Sequence, residues 1–561
     1  MWGTFPGIVE RVLALALALV AALSGEPPLR FVDVTEGSGV DLVTTFGSEE
    51  KRYIIEYTGT GAALADYDGD SDLDLYLVNG SALEPFEGEP PRDRLYRNEG
   101  GFRFVDVTEA AGLGETGWGG GCLAGDVDND GDPDLLVTNF GPNVLYRNNG
   151  DGTFTDVTLA VGLDDGRWHS SSAFGDLDSD GFLDLYITNH AVYRREEPPK
   201  LPCFWKGIQI ACGPLAHEPE THLVYRNRGD FTFDDISRSS GVTSKRGFGF
   251  GVVMDYFDDD DRLDVYVAND LSANFLFLNR ATAKGGILFE DVSALSGAGF
   301  VEGGREQAGM GVDSGDFNGD GRSDIHVTNF SDDYNTLYRN EGSGLFTDVS
   351  FQARLGEVTL PYLGWATAFA DVDHDGDLDL FVVNGHIYPE ADRFQSGTWY
   401  AQSNLLLTNL GDGSFRDVSE ASGLSQRKLG RGAAVGDVDE DGDLDFIIAN
   451  MHALPSLLRN DGGNRSPWIR FLLVGADSNR DAVGARVTIS AGGRDQHRTA
   501  KAGGGYLSSH DLRLHFGLAD ARRVERLTVR WPSGRVDILE SLPAGKGYAI
   551  KEGVGVLAER P

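Results

Sequence analysis

Three cysteines and four methionines in 561 residues are few. A chain so poor in thiols is no disulfide-built scaffold, and the spacing of the three does not suggest a zinc site. Positive charge is also scarce. Lys and Arg number 48 against 88 Asp and Glu, for a formal net charge of −40. Such a chain repels phosphate backbones, which argues against nucleic acid as a partner. Past the N-terminus no apolar run is long enough to span a bilayer, so no integral membrane segment is expected after signal cleavage. No G-x-S-x-G stretch, P-loop or H-E-x-x-H string is present, so no reaction can be read from a motif. With 75 Gly and 40% hydrophobic residues, the chain nevertheless reads as globular, β-rich and turn-rich.

The N-terminus reads as a secretory signal over residues 1–24. Arg11 precedes the apolar run VLALALALVAALSG, with cleavage expected near Ser24 or Gly25. A secreted, periplasmic or extracellular location follows. In that oxidising setting Cys203 and Cys212, which bracket CFWKGIQIAC, are expected to form a disulfide. Cys122, in GGGCLAGD, is expected as a packed free thiol.

What the chain has in abundance is a nine-residue acidic loop. In DVDNDGDPD, Asp126, Asp128, Asp130 and Asp134 stand at positions one, three, five and nine, with Gly131 at the bend. Hard cations such as Ca2+ take six to eight oxygen ligands at about 2.3–2.6 Å, and alternate residues of a tight loop can supply them. The loop is like the first half of an EF-hand, but no Glu follows at position twelve. The next residues, LLVTN, read as a strand. Six more such loops follow the same spacing. They offer Asp66, Asp68, Asp70 and Asp74; Asp176, Asp178, Asp180 and Asp184; Asp258, Asp260 and Asp264; Asp316, Asn318, Asp320 and Asp324; Asp371, Asp373, Asp375 and Asp379; and Asp437, Asp439, Asp441 and Asp445. About five to seven Ca2+ are expected, with folding coupled to their binding. The fourth loop has Tyr256 at position one, and Asp255 can serve only through a backbone bulge. The fifth has Asn318 at position three. Both are expected to bind more weakly.

Two further strings repeat seven times each. F-x-D-[VI]-[TS] runs from FVDVT at Phe31 to FRDVS at Phe415, and an Asn-ended string runs from LYRN at Asn98 to LLRN at Asn460. Repeats of this length mean a solenoid, propeller or array. LYRN-x-x-G-x-x-F-x-D-V-T reads as a β-hairpin. The acidic loop joins two further strands, giving four strands per unit. The first F-x-D-V-T strand and the last LLRN strand have no partner in sequence, and pairing them would close a ring and hide both edges. The expectation is an all-β chain, with a seven-bladed β-propeller over residues 28–462. An insertion from about Val192 to Glu220 carries the Cys pair. Past Asn460 the pattern changes to WIRFLLVG, ARVTISAGG, RLHFGLA, RLTVRWPSG and VDILE. These read as short strands of a small, more basic, sandwich-like β domain over residues 464–555.

The loops with their flanking strands resemble the FG-GAP/VCBS repeats of integrin-type propellers. SNRDAVGARV from Ser478, GGGYLSS from Gly503, LHFGL from Leu514 and WPSG from Trp531 resemble the ASPIC/UnbV domain. The order of the two is similar to the cartilage acidic protein family. That family's animal members also carry an EGF-like module, and a chain without one is closer to the shorter bacterial type. The resemblance implies secretion and Ca2+ binding, and it supplies no settled activity.

Propellers often bind ligands near the central channel. Trp118, Arg167, Trp168, His169, Arg246, Arg305, Trp365 and Arg431 precede the strands that run into the loops. His190, Asp270, His386 and His452 follow the returning strands. Aromatic rings with charged neighbours suit a sugar or peptide. The leading expectation is an extracellular recognition or adhesion module for a protein or glycan. Two alternatives stand beside it. One is a carbohydrate-active lyase or hydrolase using Arg167, His169, His190 and His386. The other is an accessory or maturation protein holding a transition metal with His190, His386 and His452.

Overall fold

The computed structural model describes residues 29–83, 89–194, 202–282, 285–393, 397–463 and 465–560. The signal segment read over residues 1–24 lies outside these. The fold is all-β and propeller-like. Residues 31–460 form seven four-stranded antiparallel sheets. In the second sheet the strands are Gly119–Gly125, Asp134–Asn139, Val144–Asn148 and Phe154–Asp156. The acidic loop joins the first two, and the Asn-ended strand and the F-x-D strand form the hairpin. The seventh sheet has only three strands of its own neighbourhood, Gly430–Gly436, Asp445–Asn450 and Ser456–Asn460. Its fourth is Phe31–Asp33, paired antiparallel with Phe31 opposite Asn460. The two strands left without sequence neighbours do pair.

The first strands of successive sheets touch in turn, and Gly430–Gly436 touches Ala62–Ala65 of the first sheet. Small residues make that approach possible. A Cβ on Gly311 would lie 2.1 Å from the Trp365 carbonyl oxygen of the next sheet. The second strands are buried along their whole length, as in DLLVTN of Asp134–Asn139, because neighbouring sheets pack on both of their faces. A set of side-chain bonds joins the sheets further out. The Asn that ends each third strand donates to a carbonyl in the acidic loop of the preceding sheet. Asn148 reaches Tyr67 O and Asn227 reaches Val127 O, both at 2.9 Å. Asn98 reaches Val438 O at 2.9 Å, from the first sheet back to the seventh.

Residues 468–560 form two further four-stranded sheets. Leu514–Gly517, Trp468–Val474, Lys546–Lys551 and Gly555–Arg560 make one, and Arg494–Thr499, Arg486–Ala491, Arg523–Arg530 and Val536–Pro543 the other. Ile469, Phe471, Val487, Ile489, Leu527 and Trp531 fill the space between them. Three strands were not foreseen. Arg494–Thr499 is polar along its length, and Lys546–Lys551 and Gly555–Arg560 are broken by glycines, so none carries a plain alternating pattern.

The segment Ala502–His510 leaves this sandwich and enters the ring of first strands. Ala502 bridges to Phe174, Gly505 to Val312 and Ser509 to Ala63. A Cβ on Gly61 would fall 1.6 Å from the Leu507 carbonyl oxygen, so this contact requires glycine. Tyr506 is fully buried, with its ring 5.7 Å from Phe250 and 4.9 Å from Trp365, and its hydroxyl donates to Thr58 O at 3.1 Å. The channel expected to receive a ligand is therefore filled by the protein's own chain. Trp365, expected on the ligand face, is part of that packing. Replacing Tyr506 by Ala should cost about 3–5 kcal/mol of unfolding free energy, as for other large buried aromatics. Chemical denaturation followed by tryptophan fluorescence checks it, and an unchanged midpoint would show that the segment does not hold the ring.

Candidate metal loops and the opposite face

Each acidic loop is built around its ninth residue. Asp134 Oδ2 accepts the Val127 N–H at 3.1 Å, and its Oδ1 accepts the Asn148 N–H at 2.9 Å. One carboxylate thus fixes the loop start and the third strand together. At position one, Asp126 Oδ2 accepts the Gly131 N–H at 2.7 Å. Gly131 has φ 107° and Asn129, two residues before it, has φ 62°. These two left-handed residues fold the loop so that alternate side chains converge.

Convergence is observed in five loops. Ligand oxygens lie within 4.8 Å of one another in Asp66, Asp68 and Asp70; in Asp126, Asp128 and Asp134; in Asp176, Asp178 and Asp184; in Asp371, Asp373 and Asp379; and in Asp437, Asp439 and Asp445. In loops six and seven, Asp371 Oδ1, Asp437 Oδ1, Asp439 Oδ1 and Asp443 Oδ1 are buried without a hydrogen-bond partner. An all-oxygen donor set with buried, unpartnered carboxylate oxygens suits a hard dication. The residues present fit such an ion.

Loops four and five gather no such group among the described residues. In loop four the backbone does not bulge. Asp255 stays in register opposite Asp264, and its carboxylate accepts from Ser314 Oγ at 2.7 Å in the next sheet. Tyr256 at position one turns away, donating to Gly484 O at 2.8 Å beneath the Arg486 guanidinium. Asp258 and Asp260 pair with Arg280. In loop five Asn318 Nδ2 donates to Asp320 at 3.2 Å. The arginine of the Asn-ended strand plays the same part elsewhere. Arg147 lies 2.7 Å from Asp128 and 3.1 Å from Asp130, and Arg226 contacts Asp178 and Asp180. The sequence signal for this role was the Arg before Asn in LYRN, read at first only as part of a hairpin.

The sandwich sits over the acidic loops. The Asp126 N–H donates to Asp481 at 2.7 Å, and Asn129 Oδ1 accepts the Arg480 N–H at 2.7 Å. Lys501 lies 2.6 Å from Asp313. A cavity of about 480 Å³ remains between the two parts, lined by Asp313, Asp371, Arg498, Lys501 and His510 among others.

The opposite face is closed differently from the sequence expectation. Trp118 and Trp168 are buried with Phe46, Ile55, Tyr57 and Phe248. His190 is fully buried, stacked 4.0 Å from the Phe250 ring, and burial pushes its pKa down to about 3. His169 is bound to Asn189 at 2.7 Å. Arg167 is paired with Asp165 at 3.0 Å. Arg431 is 1% exposed and donates to the carbonyls of Tyr57, Gly385 and Gly430, over the Trp365 ring at 4.3 Å. His386 is held by Ser331 at 3.0 Å and the Tyr388 N–H, and His452 lies 2.8 Å from Lys51 Nζ. Asp270 is half-buried, and burial pushes its carboxyl up to about 7. Only Arg246 and Arg305 are exposed, and Arg305 pairs with Asp333 at 2.8 Å. No metal-ligand group among the described residues includes a histidine. The structure thus places His190 against Phe250, His386 beside Ser331 and His452 beside Lys51, and does not gather them with Arg167 and His169 into one cluster among the described residues. Apart from Arg246 and Arg305, these polar groups are buried or partly buried, because the loops around the channel mouth fold over them.

The cap includes the Cys insertion. Cys203 and Cys212 form a disulfide, and Cys122 is a buried free thiol, as expected. Cys203–Trp205 pairs with Ile208–Ile210 as a hairpin. Trp205 packs down on His386 at 4.9 Å and Tyr388 at 5.4 Å, while Phe204 points outward, 62% exposed. Leu215, Leu271, Trp399 and Leu454 are also exposed on the insertion and on the loops that follow the second strands.

Comparison with known proteins agrees with this architecture. The FG-GAP-like repeat matches residues 66–137, 126–187, 256–327 and 316–382, and the ASPIC and UnbV family matches residues 475–556. Cartilage acidic protein 1 of Xenopus tropicalis is 27% identical over 317 residues, covering 55% of this chain and 45% of that protein. The protein of the same name from Homo sapiens is 26% identical over 334 residues, covering 58% and 47%. The chain spans about half the length of the relatives it matches. Among solved structures, an Agrocybe aegerita lectin that recognises non-reducing terminal N-acetylglucosamine is 15% identical, with a TM-score of 0.38, covering 72% of this chain and 94% of the lectin. Rhamnogalacturonan lyase YesW is 11% identical, with a TM-score of 0.37, covering 77% and 75%.

The loops carry a pH signature. Without metal, the carboxyls of Asp74, Asp134 and Asp324 are pushed up to about 8, chiefly by burial, with neighbouring carboxylates adding to it. Their unfolded value is about 3.9. The folded chain therefore binds more protons than the unfolded chain between about pH 4 and 8, and metal-free stability falls as pH rises through that window. Metal-free protein should melt at a lower temperature at pH 8.5 than at pH 6. Adding Ca2+ at pH 7 should release protons. Calorimetry at the two pH values and a titration in weak buffer check both signs.

Proposed function

We propose that this chain, which carries FG-GAP-like repeats followed by an ASPIC and UnbV domain, is a secreted, calcium-stabilised module that recognises an extracellular protein or carbohydrate. In this reading residues 1–24 are a cleaved signal, residues 28–462 a closed seven-bladed propeller and residues 464–555 the second domain. The observation that carries recognition over catalysis is the double closure of the channel. The segment around Tyr506 fills it from one side, and the disulfide hairpin with Trp205 covers it from the other. A substrate cleft needs free polar groups converging on a cavity, and most of those near the channel are buried or bonded within the fold, as Arg431, His169 and His386 are. Beside exposed charged groups such as Arg246 and Arg305, the capped face exposes large apolar and aromatic side chains: Phe204, Leu215, Leu271, Trp399 and Leu454. Exposed rings of this kind anchor binding interfaces. Trp399 is held by the Arg427 guanidinium 4.0 Å from its ring. The disulfide supports an oxidising location. No helix among the described residues is long and apolar enough to cross a membrane.

Calcium identity rests on the hard, all-oxygen donor sets of the five gathered loops. Metal analysis of the purified protein should find about five to seven Ca2+ per chain, with loops two, three, six and seven filled first. Chelation with EDTA should lower the melting temperature sharply. An unchanged melt with no bound Ca2+ would remove the metal reading and the functional argument built on it.

The surface reading has its own check. Phe204→Ser and Trp399→Ser should each weaken binding to a glycan or extracellular-protein array by about tenfold or more, the scale of an aromatic interface anchor, while leaving the melt unchanged. Binding that survives both substitutions would place recognition elsewhere.

A further inference from the structure

The acidic loops differ in what lies over them. In the first, Asp68 and Asp70 are exposed and Asp66 is half-buried. Among the described residues, none of that loop's hydrogen bonds or ion pairs crosses to residues 465–560; they are made within the loop, to its own sheet and, through Tyr67 O, to Asn148 of the next sheet. Loops six and seven are the opposite case. Asp371 is 1% exposed and Asp437 fully buried. The Gly517 N–H donates to Asp371 Oδ2 at 2.9 Å. The Arg470 guanidinium donates to Asp437 Oδ2 at 2.6 Å. Arg494 pairs with Asp377 and reaches the Asp375 carbonyl, and His515 Nε2 lies 2.9 Å from the Gly442 carbonyl oxygen. In both loops the sandwich engages Oδ2 of the first aspartate. The other oxygen, Oδ1, is the one left buried without a partner.

This is the arrangement of an outer shell around a metal site. Ligating carboxylates are oriented by hydrogen bonds to their second oxygen, and removing such a partner commonly changes metal affinity by about 10–100-fold. The free oxygens also give docking a dependence on the ion. Covering an uncompensated carboxylate oxygen is costly, and a dication in the loop offsets that cost. Docking and occupancy then favour one another, and the coupling is reciprocal.

We propose that the C-terminal sandwich forms the outer shell of the metal sites in loops six and seven, so that these two hold their ions longest and the sandwich docks most firmly when they are filled. Gly517, Arg470 and Arg494 are the positioning residues. Emptying the exposed first loop leaves docking untouched, whereas emptying loops six and seven loosens the sandwich and, with it, the segment around Tyr506 that fills the channel. The proposal rests on the calcium reading above.

The test uses the full chain loaded with Ca2+ and mixed rapidly with a fluorescent chelator. Two ions are expected to leave at least about tenfold more slowly than the rest. Backbone hydrogen exchange at Gly505, whose N–H donates to Val312 O at 2.7 Å, should accelerate with that slow phase and not before it. Gly517→Ala should convert one slow ion to a fast one, because its Cβ would lie 2.4 Å from Asp371 Oδ2 and 2.3 Å from His374 Cα. Arg494→Ala, at a side chain 52% exposed, should shorten the same phase without that clash, which keeps the test intact if the glycine variant folds poorly. Asp68→Asn should remove one fast ion and leave the slow pair and the Gly505 exchange as they were. Ca2+ bound but released in a single phase, or a slow pair unmoved by both Gly517→Ala and Arg494→Ala, overturns the proposal and leaves the calcium reading standing. A chain that binds no Ca2+ overturns that reading and the proposal with it.

Discussion

The aspartate at position nine of each acidic loop is the residue on which the rest of the structure depends. Its two oxygens accept one N–H from the start of the loop and one from the end of the third strand, as Asp184 does with Leu177 and Asn227 at 2.9 Å each. The same Asn then uses its side chain to reach the loop of the preceding sheet, as Asn227 does to Val127 O. Loop, strand and neighbouring sheet are thus tied through two side chains. The chain repeats this seven times, the last being Asn460 to Val372 O at 3.0 Å. Because the acceptor carbonyl follows position one of a loop, the joints between sheets and the candidate metal loops are the same stretch of backbone. Anything that spreads the carboxylates apart spreads the sheets.

That placement explains an otherwise costly distribution of charge. Crowded carboxylates repel, and burial raises the pKa of Asp126 to about 8 and of Asp176, Asp371 and Asp437 to about 7. The structure answers this in three ways at different loops. In loops two and three an arginine from the third strand stands beside positions three and five. In loop four the first carboxylate is replaced by Tyr256, and the loop becomes a seat for Arg486 and Gly484. In loops six and seven the sandwich brings N–H groups and a guanidinium to the outer oxygens. The basic character of the C-terminal part is therefore local complementarity to the acidic face beneath it.

The repeating parts of this arrangement were legible in the sequence, because they depend on short-range patterns. Nine-residue spacing placed the loops, and counting strings gave four strands per sheet and the pairing of Phe31–Asp33 with Ser456–Asn460. Bracketing by Cys203 and Cys212 gave the disulfide. What was not legible depends on contacts between distant segments. GGGYLSS was read as part of a domain signature, and nothing in its composition says that Tyr506 reaches Thr58 O across 448 residues of sequence. His190 and Arg431 have the residue types of a binding site, yet one stacks on Phe250 and the other spends its donors on backbone carbonyls. Residue type marks what a side chain can do, whereas burial decides what it does.

The two faces of the ring consequently have different freedom to vary. On the acidic face each loop is fixed by its own ninth residue, by a neighbouring sheet and in most cases by the sandwich, so a change there is felt through the ring. On the capped face the loops after the second strands have only to cover the channel. One of them has accepted an insertion from about Val192 to Glu220, whose hairpin turns Trp205 inward and Phe204 outward. Binding surfaces concentrate on loops held by a rigid scaffold, because such loops can change without unfolding it. In this chain the scaffold is stiffened at one end of the sheets by carboxylates and their counter-charges, and that leaves the loops at the other end freer to vary in sequence and length.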